Sequence, residues 1–357
     1  MSLKEQKAIL LPLLQKALEL ELSTIPPYLT ALLSIRMPGN RVAANVIRTV
    51  AIEEMLHMVL VGNLISSLGG KVRLHGDAVP KYPLRLEFEG SPIRDREFDI
   101  HLEAFSPQAI GTFKQIEIPA DLLPPAHAHG AQPDVVIPGI TLGEFYDRII
   151  LMLERICADY PESDVFCGDP RHQVNEQYYW SSGGKPIVVT SLASAIEAMT
   201  VIKMQGEASH GSIYDGDAEY FAQPREVAHY FRFNEIACGR YYRPGDHPAE
   251  PPTGEQFDVD YTAVYPIKRN AKSTDYAPGS TLARLNDTFN RQYSLMLCQL
   301  EQAFNGNPSV LYDAIVNGMH GMTSVAHEMM CLPIDGDAGG AHGAPTFEWV
   351  ASPGTRA

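Results

Sequence analysis

Ala51-Ile-Glu-Glu-Met-Leu-His-Met-Val-Leu60 decides how this chain is read. Glu54 and His57 stand three residues apart inside an uninterrupted helical pattern, so both side chains project from one helix face. A carboxylate and an imidazole on an apolar face are costly to bury unless something pairs with them. A metal ion is one such partner, provided that the rest of the chain supplies further ligands.

Working back from this stretch, residues 3 to about 36 read as a helix with Leu10, Leu14, Leu18, Glu21 and Ile25 on one stripe. Glu21 is thus a carboxylate on an apolar face, whereas Glu19 falls off the stripe and reads as solvated. Pro26-Pro27 cannot donate backbone hydrogen bonds and should kink the helix beyond Glu21. Met37-Pro-Gly-Asn40 reads as a turn, and the second helix, about 41 to 68, ends at Gly69-Gly70. Glu21 lies about as far before the turn as Glu54 and His57 lie after it. An antiparallel hairpin therefore brings the three to one level.

Beyond residue 70 the character changes. Pro and Gly are frequent, and Arg85-Leu-Glu-Phe-Glu89 and Phe98-Asp-Ile-His-Leu102 alternate like strands. One helix is expected from 140 to about 160, with Thr141 as N-cap and Glu144 completing a capping box. Residues 71–186 read as one long excursion that covers the bundle and shapes a pocket. Helical periodicity returns at about 190–210 and 223–239, the latter with Glu226, His229, Tyr230 and Phe233 on one face. A Pro-rich linker, two helices at about 280–304 and 308–331, and an irregular tail from Pro333 complete the chain. The expected organisation is a discontinuous four-helix bundle (1–70 and 187–240), an insertion with short strands and one helix (71–186), and a C-terminal part (241–357).

A dinuclear carboxylate centre in a four-helix bundle takes one Glu from each of two helices and Glu-x-x-His from each of the other two. Here the order is Glu21, Glu54/His57, a third-helix Glu, then Glu226/His229. With 24 Glu and 12 His, chance alone supplies about 0.8 Glu-x-x-His matches. Three occur, at Glu54/His57, Glu207/His210 and Glu226/His229, and it is helical context and chain order that give them weight. On the third helix, periodicity favours Glu197, on a stripe with Val201, Met204 and Ala208. The level across the hairpin favours Glu207, with His210 as a further ligand or supporting group. Glu53 and Glu235 read as solvated or supporting groups, His320 and His327 as packing or surface residues, and Tyr28, Tyr230 and Phe233 as core. His127 and His129, in a loop, carry little weight as ligands.

The remaining features narrow the class. A formal net charge of −15 argues against nucleic acid or an anionic membrane as partner. The N-terminus lacks a signal peptide's apolar core, and no run reaches a membrane-spanning length. Five cysteines without C-x-x-C spacing fit reduced thiols in a cytoplasmic protein. No Ser/His/Asp triad, P-loop or dinucleotide fingerprint is evident.

Glu21-Leu-Ser-Thr-Ile-Pro-Pro-Tyr-Leu29, Ile52-Glu-Glu-Met-Leu-His-Met58, Gln205-Gly-Glu207 and His229-Tyr-Phe-Arg-Phe-Asn-Glu-Ile236 resemble the ferritin-like family of iminophenylpyruvate dimer synthases. The resemblance runs through Gly143-Glu-Phe-Tyr146 and the Phe166 to Gln173 region to the late helices. At the third block the family commonly reads Glu-Gln-Gly-Glu-Gly, where this chain has Met204-Gln-Gly-Glu-Ala208. The acid retained is Glu207, which strengthens that choice over Glu197. The resemblance implies a ferritin-like bundle with a metal site and an oxidative role in bisindole pigment pathways, where a tryptophan-derived imine is coupled.

The expectation is therefore a mainly α, ferritin-like four-helix bundle with a long irregular insertion and additional C-terminal helices. It binds two metal ions through Glu21, Glu54, His57, Glu207, Glu226 and His229. Iron is favoured, and manganese, copper or zinc also suit such a donor set. The protein is read as an oxidase or oxygenase that uses dioxygen or peroxide on a small amino-acid-derived metabolite, with a homo-oligomer left open and no catalytic residue assigned. The alternative is a ferritin-like storage or metal-binding protein without an organic substrate.

Overall fold

The computed structural model describes residues 1–89, 96–123, 135–138, 141–180, 182–221, 225–337 and 339–351. It is mostly helical. Helices α1 (Leu3–Ser34) and α2 (Arg41–Ser67) form the antiparallel hairpin that the sequence predicts. Ser2 caps α1 by a reciprocal bond with Glu5. α1 runs through Pro12, Pro26 and Pro27 as one helix. Pro27 cannot donate to the carbonyl of Ser23, and the Tyr82 hydroxyl does so instead at 2.7 Å. By length and hydropathy α2 could cross a membrane, but 78% of its apolar window is buried inside the protein, as befits a core helix.

The excursion holds a small sheet of order β2-β1-β3, made of β1 (Leu84–Glu89), β2 (Arg96–Ile100) and β3 (Val135–Pro138). β1 pairs antiparallel with β2, Leu84 opposite Ile100, and parallel with β3, Leu86 opposite Val135. Among its described residues it also holds two substantial helices rather than one. α3 (Pro107–Ile116) starts at a Ser106 cap with proline in its first turn, and α4 (Leu142–Asp159) starts at Thr141, whose side chain accepts from the Glu144 N–H. α4 turns Phe145, Tyr146, Ile149, Leu153 and Ile156 inward, against α1 and the later helix α6.

The short α5 (Glu162–Val165) precedes α6 (Leu192–Glu207), and the short α7 (Asp217–Tyr220) precedes α8 (His229–Cys238). α6 packs on α2 and α4, and α8 packs on α2, α3 and α6. Phe113 of α3 meets Tyr28 of α1 and Phe233 of α8 at ring-centroid distances of 4.6 and 5.3 Å. The C-terminal part supplies α9 (Thr281–Phe304), α10 (Leu311–Asp313), a π-helical stretch from Ala314 to Met319 and α11 (His320–Cys331). The tail beyond is irregular and buries Phe347 against Phe289 and Tyr293.

Glu235, buried on α8, accepts a 2.7 Å bond from the Tyr242 N–H, yet burial pushes its carboxyl up to about 7. A folded pKa above the ordinary 4.5 means that the folded protein keeps a proton which the unfolded chain has released. The contribution of Glu235 to stability is therefore full below pH 4.5 and falls as pH rises towards 7. Glu235→Gln keeps the acceptor and removes the titration. In urea unfolding, the loss of stability between pH 5 and 8 is expected to be about 2 kcal/mol smaller than in the wild type.

Candidate metal centre

Five buried ligand-bearing groups meet where α1, α2, α3 and α8 converge. α1 and α2 bring Glu21, Glu54 and His57 together, Glu117 closes the C-terminus of α3, and His229 opens α8. They form two triads, Glu21/Glu54/His57 and Glu54/Glu117/His229, each with its ligand atoms within 4.8 Å of one another and each able to hold a metal ion. Glu54 belongs to both. The two imidazoles lie stacked, with centroids 5.6 Å apart.

The hydrogen bonds around the imidazoles fix which nitrogen faces the carboxylates. His57 Nε2 is 2.9 Å from the Gln205 side-chain oxygen, an acceptor, so Nε2 carries a proton. Gln205 is itself held, its amide donating to Gly183 O and Asp217. His229 Nε2 in turn lies 2.8 Å from Glu53. Both Nδ1 atoms therefore point into the centre. His57 Nδ1 is 3.3 Å from Glu21 and 3.7 Å from Glu54. His229 Nδ1 is 3.0 Å from Glu54 and 3.6 Å from Glu117, without hydrogen-bond geometry to either. A buried nitrogen directed at two carboxylates but bonded to neither fits a cation between them, and an outer partner on Nε2 is the usual support of a metal-binding imidazole.

The electrostatics agree. Burial pushes the Glu54 carboxyl up to about 8, and Glu117 beside it adds to the effect. Burial alone would lower the His57 imidazole, but its bond to Glu21 and the charge of Glu54 hold it above its ordinary value. Protons thus offset the crowded carboxylates in the absence of a cation, and a bound cation displaces them. Tyr28 donates to Glu117 at 2.6 Å, and Tyr146 of α4 donates to Glu21. Burial, with the neighbouring carboxylates, keeps both phenols protonated well above their ordinary range. Thr24 places its hydroxyl 2.9 Å from Glu54.

The structure brings Glu21, Glu54, His57 and His229 together, and it places Glu226 and Glu207 outside both triads. The expected helix from 223 is shorter and starts at His229. Residues 226–228 are extended instead, with Glu226 O accepting from Asp215 N–H and Val227 bridged to Tyr214. The three-residue spacing of Glu226 and His229 therefore does not put them on one helix face. The Glu226 side chain is 55% exposed and 3.4 Å from Arg232. Glu207 ends α6 and borders the same small cavity of about 10 Å³ as Glu21, Glu54, His57 and Glu117. Its carboxylate accepts from Gly143 N–H at 2.7 Å and from the Thr141 hydroxyl at 3.1 Å, which serves the open N-terminus of α4. Glu197 is exposed, and His210 is exposed and 3.0 Å from Asp121. His127 and His129 lie outside the described residues.

Glu117 was not anticipated. Ser106-Pro107 signals the start of its helix, but no spacing marks the acid at its end, because its partners come from α1, α2 and α8. Glu53, expected to be solvated or supporting, is buried and bonded to His229 and Arg232. Arg232 follows His229 by three residues and so shares its face, which is the one local signal of its place beside Glu53.

A family model described as ferritin-like matches residues 14–238, a span that holds every residue of both triads. The fold is similar to the crystal structure of a ferritin like protein from Caulobacter vibrioides, at 21% identity and a TM-score of 0.57, over 96% of this chain and 97% of that one. No curated protein matches the chain.

Proposed function

The chain belongs to the ferritin-like family, and from that membership we propose that it is a metal-dependent oxidase or oxygenase, with iron held by Glu21, Glu54, His57, Glu117 and His229. The observation that carries this reading is the pair of triads joined at Glu54, with both imidazoles anchored at Nε2 and turned inward at Nδ1. Redox-active ions bound by these residues would supply the electrons for dioxygen chemistry. The chain's own part is to fix the donors. Tyr28 and Tyr146 orient the Glu117 and Glu21 carboxylates, Gln205 and Glu53 set the imidazole tautomers, and burial excludes bulk water.

Catalysis is favoured over storage because the excursion contributes to the centre itself. Glu117 and Tyr146 both come from it, and Gly143 and Leu142 border the cavity. A storage bundle needs no such segment. The resemblance of the Glu21, Ile52 and His229 blocks to iminophenylpyruvate dimer synthases directs the substrate class to amino-acid-derived imines.

The test is dioxygen consumption by iron-loaded protein, with and without an imine formed from indolepyruvate and ammonia. Uptake that depends on the imine and disappears in His229→Ala is expected. Ferrous oxidation that stops at a ferric product regardless of the imine would replace the enzyme reading with storage.

A further inference from the structure

A second cavity, of about 60 Å³, lies between the α1–α2 hairpin and the C-terminal helices. It uses a different stripe of the same two helices. Leu22, Met55 and Met58, each one residue after a member of the first triad, line it, so the cavity sits about a third of a turn round from the metal centre. Its far wall is α9, the π-helical stretch and α11, which give Tyr293, Met296, Ala314, Met319 and Met322. A widened π turn inside a helical run frequently marks a functional site.

Two features of the wall point to a ligand. First, Tyr293 is 2% exposed and its hydroxyl has no hydrogen-bond partner among the described residues. The wall's other phenol, Tyr179, donates to Ser182 O at 3.1 Å. Leaving a buried hydroxyl unpaired costs about 1–3 kcal/mol, and native proteins seldom do so. A bound water is a poor remedy, since a buried water takes about three polar partners and, apart from the two phenols, the side chains of this wall are apolar. Second, five of the chain's twelve methionines line the cavity: Met55, Met58, Met296, Met319 and Met322. Methionine side chains are unbranched and adaptable, and their sulfurs make favourable contacts with aromatic rings. A dry cavity of about 150 Å³ is large enough for benzene. The space here is smaller, so a ring enters only if methionines rotate aside.

We propose that this cavity is a binding site for a small aromatic carbonyl compound, whose oxygen accepts from the Tyr293 hydroxyl while the methionines close on its ring. Nothing in it requires a metal, so it stands or falls separately from the proposed oxidase activity.

The probes are acetophenone and ethylbenzene, alike in size, of which only the first has an acceptor. They are titrated into the whole protein, with the methionine methyl groups followed by NMR. Acetophenone is expected to shift the five cavity methyl resonances and to bind about tenfold more tightly than ethylbenzene. Tyr293→Phe should abolish that preference and leave the melting temperature unchanged or higher. Equal affinities for the two probes, shifts confined to methionines elsewhere, or no shift at saturating probe would overturn the proposal. So would a clear loss of stability in Tyr293→Phe, since the hydroxyl would then already have a partner in the fold.

Discussion

Glu54→Ala is expected to empty the metal centre altogether. Glu54 is the one residue in both triads: one carboxylate oxygen lies 3.0 Å from His229 Nδ1 and 3.7 Å from His57 Nδ1. Without it the first triad is reduced to Glu21 and His57 and the second to Glu117 and His229, each one carboxylate and one imidazole. The affinity lost should exceed the roughly 10–100-fold that removal of a supporting partner costs. Metal per chain, measured after ferrous loading and desalting, should fall to background. Glu226→Ala should keep wild-type metal, because that side chain is outside the centre and over half exposed. Stability without metal should not fall with metal content, since burial and Glu117 already disfavour the Glu54 carboxylate. A metal-replete Glu54→Ala protein, or a depleted Glu226→Ala protein, would show that the centre is assigned to the wrong residues.

The contrast between these two glutamates also shows what the sequence can reveal. Glu21, Glu54 and His57 sit on long regular helices joined by a short turn, so periodicity and distance from the turn were enough to place them at one level. Glu226 has the same spacing to a histidine, but its backbone pairs with residues 213–215, and such an isolated bridge between distant residues leaves no periodic trace. For Glu207, height along the bundle was a sound guide, since it borders the central cavity. Height could not foresee that the Gly143 N–H and Thr141 hydroxyl would take its carboxylate. Glu117 depends on tertiary packing, above all of α3 against α8, a contact between segments more than a hundred residues apart. The fold was legible because the first two helices are long and strongly patterned, whereas two of the centre's five residues, Glu117 and His229, come from helix ends, where local pattern is weakest.

Arg232→Met should give the largest loss of stability of any single change near the centre. Arg232 is 3% exposed, and its guanidinium reaches Glu53 at 2.7 Å, Asp215 at 2.8 Å and the carbonyl of Val227. Methionine restores much of the volume but takes the guanidinium from two buried carboxylates, which costs about 3–5 kcal/mol. At roughly 2 °C per kcal/mol for a chain of this size, the melting temperature should fall by about 6–10 °C. The pH dependence identifies the cause. Burial would raise the Glu53 carboxyl, but Arg232 and His229 outweigh it and hold the group at about 2, below its ordinary 4.5. That stabilisation is complete above pH 4.5 and is lost as pH falls towards 2. The gap between wild type and variant should therefore be widest near neutrality and shrink in acid. Adding Glu53→Gln to Arg232→Met should recover part of the loss, because one of the two stranded charges is gone. Arg232→Lys separates charge from shape: an ammonium cannot reproduce the planar fork that spans both acids and the carbonyl. With Glu53 less firmly held, His229 loses its fixed tautomer, so competition with a chelator should show weaker metal binding in Arg232→Lys even where most of the stability survives.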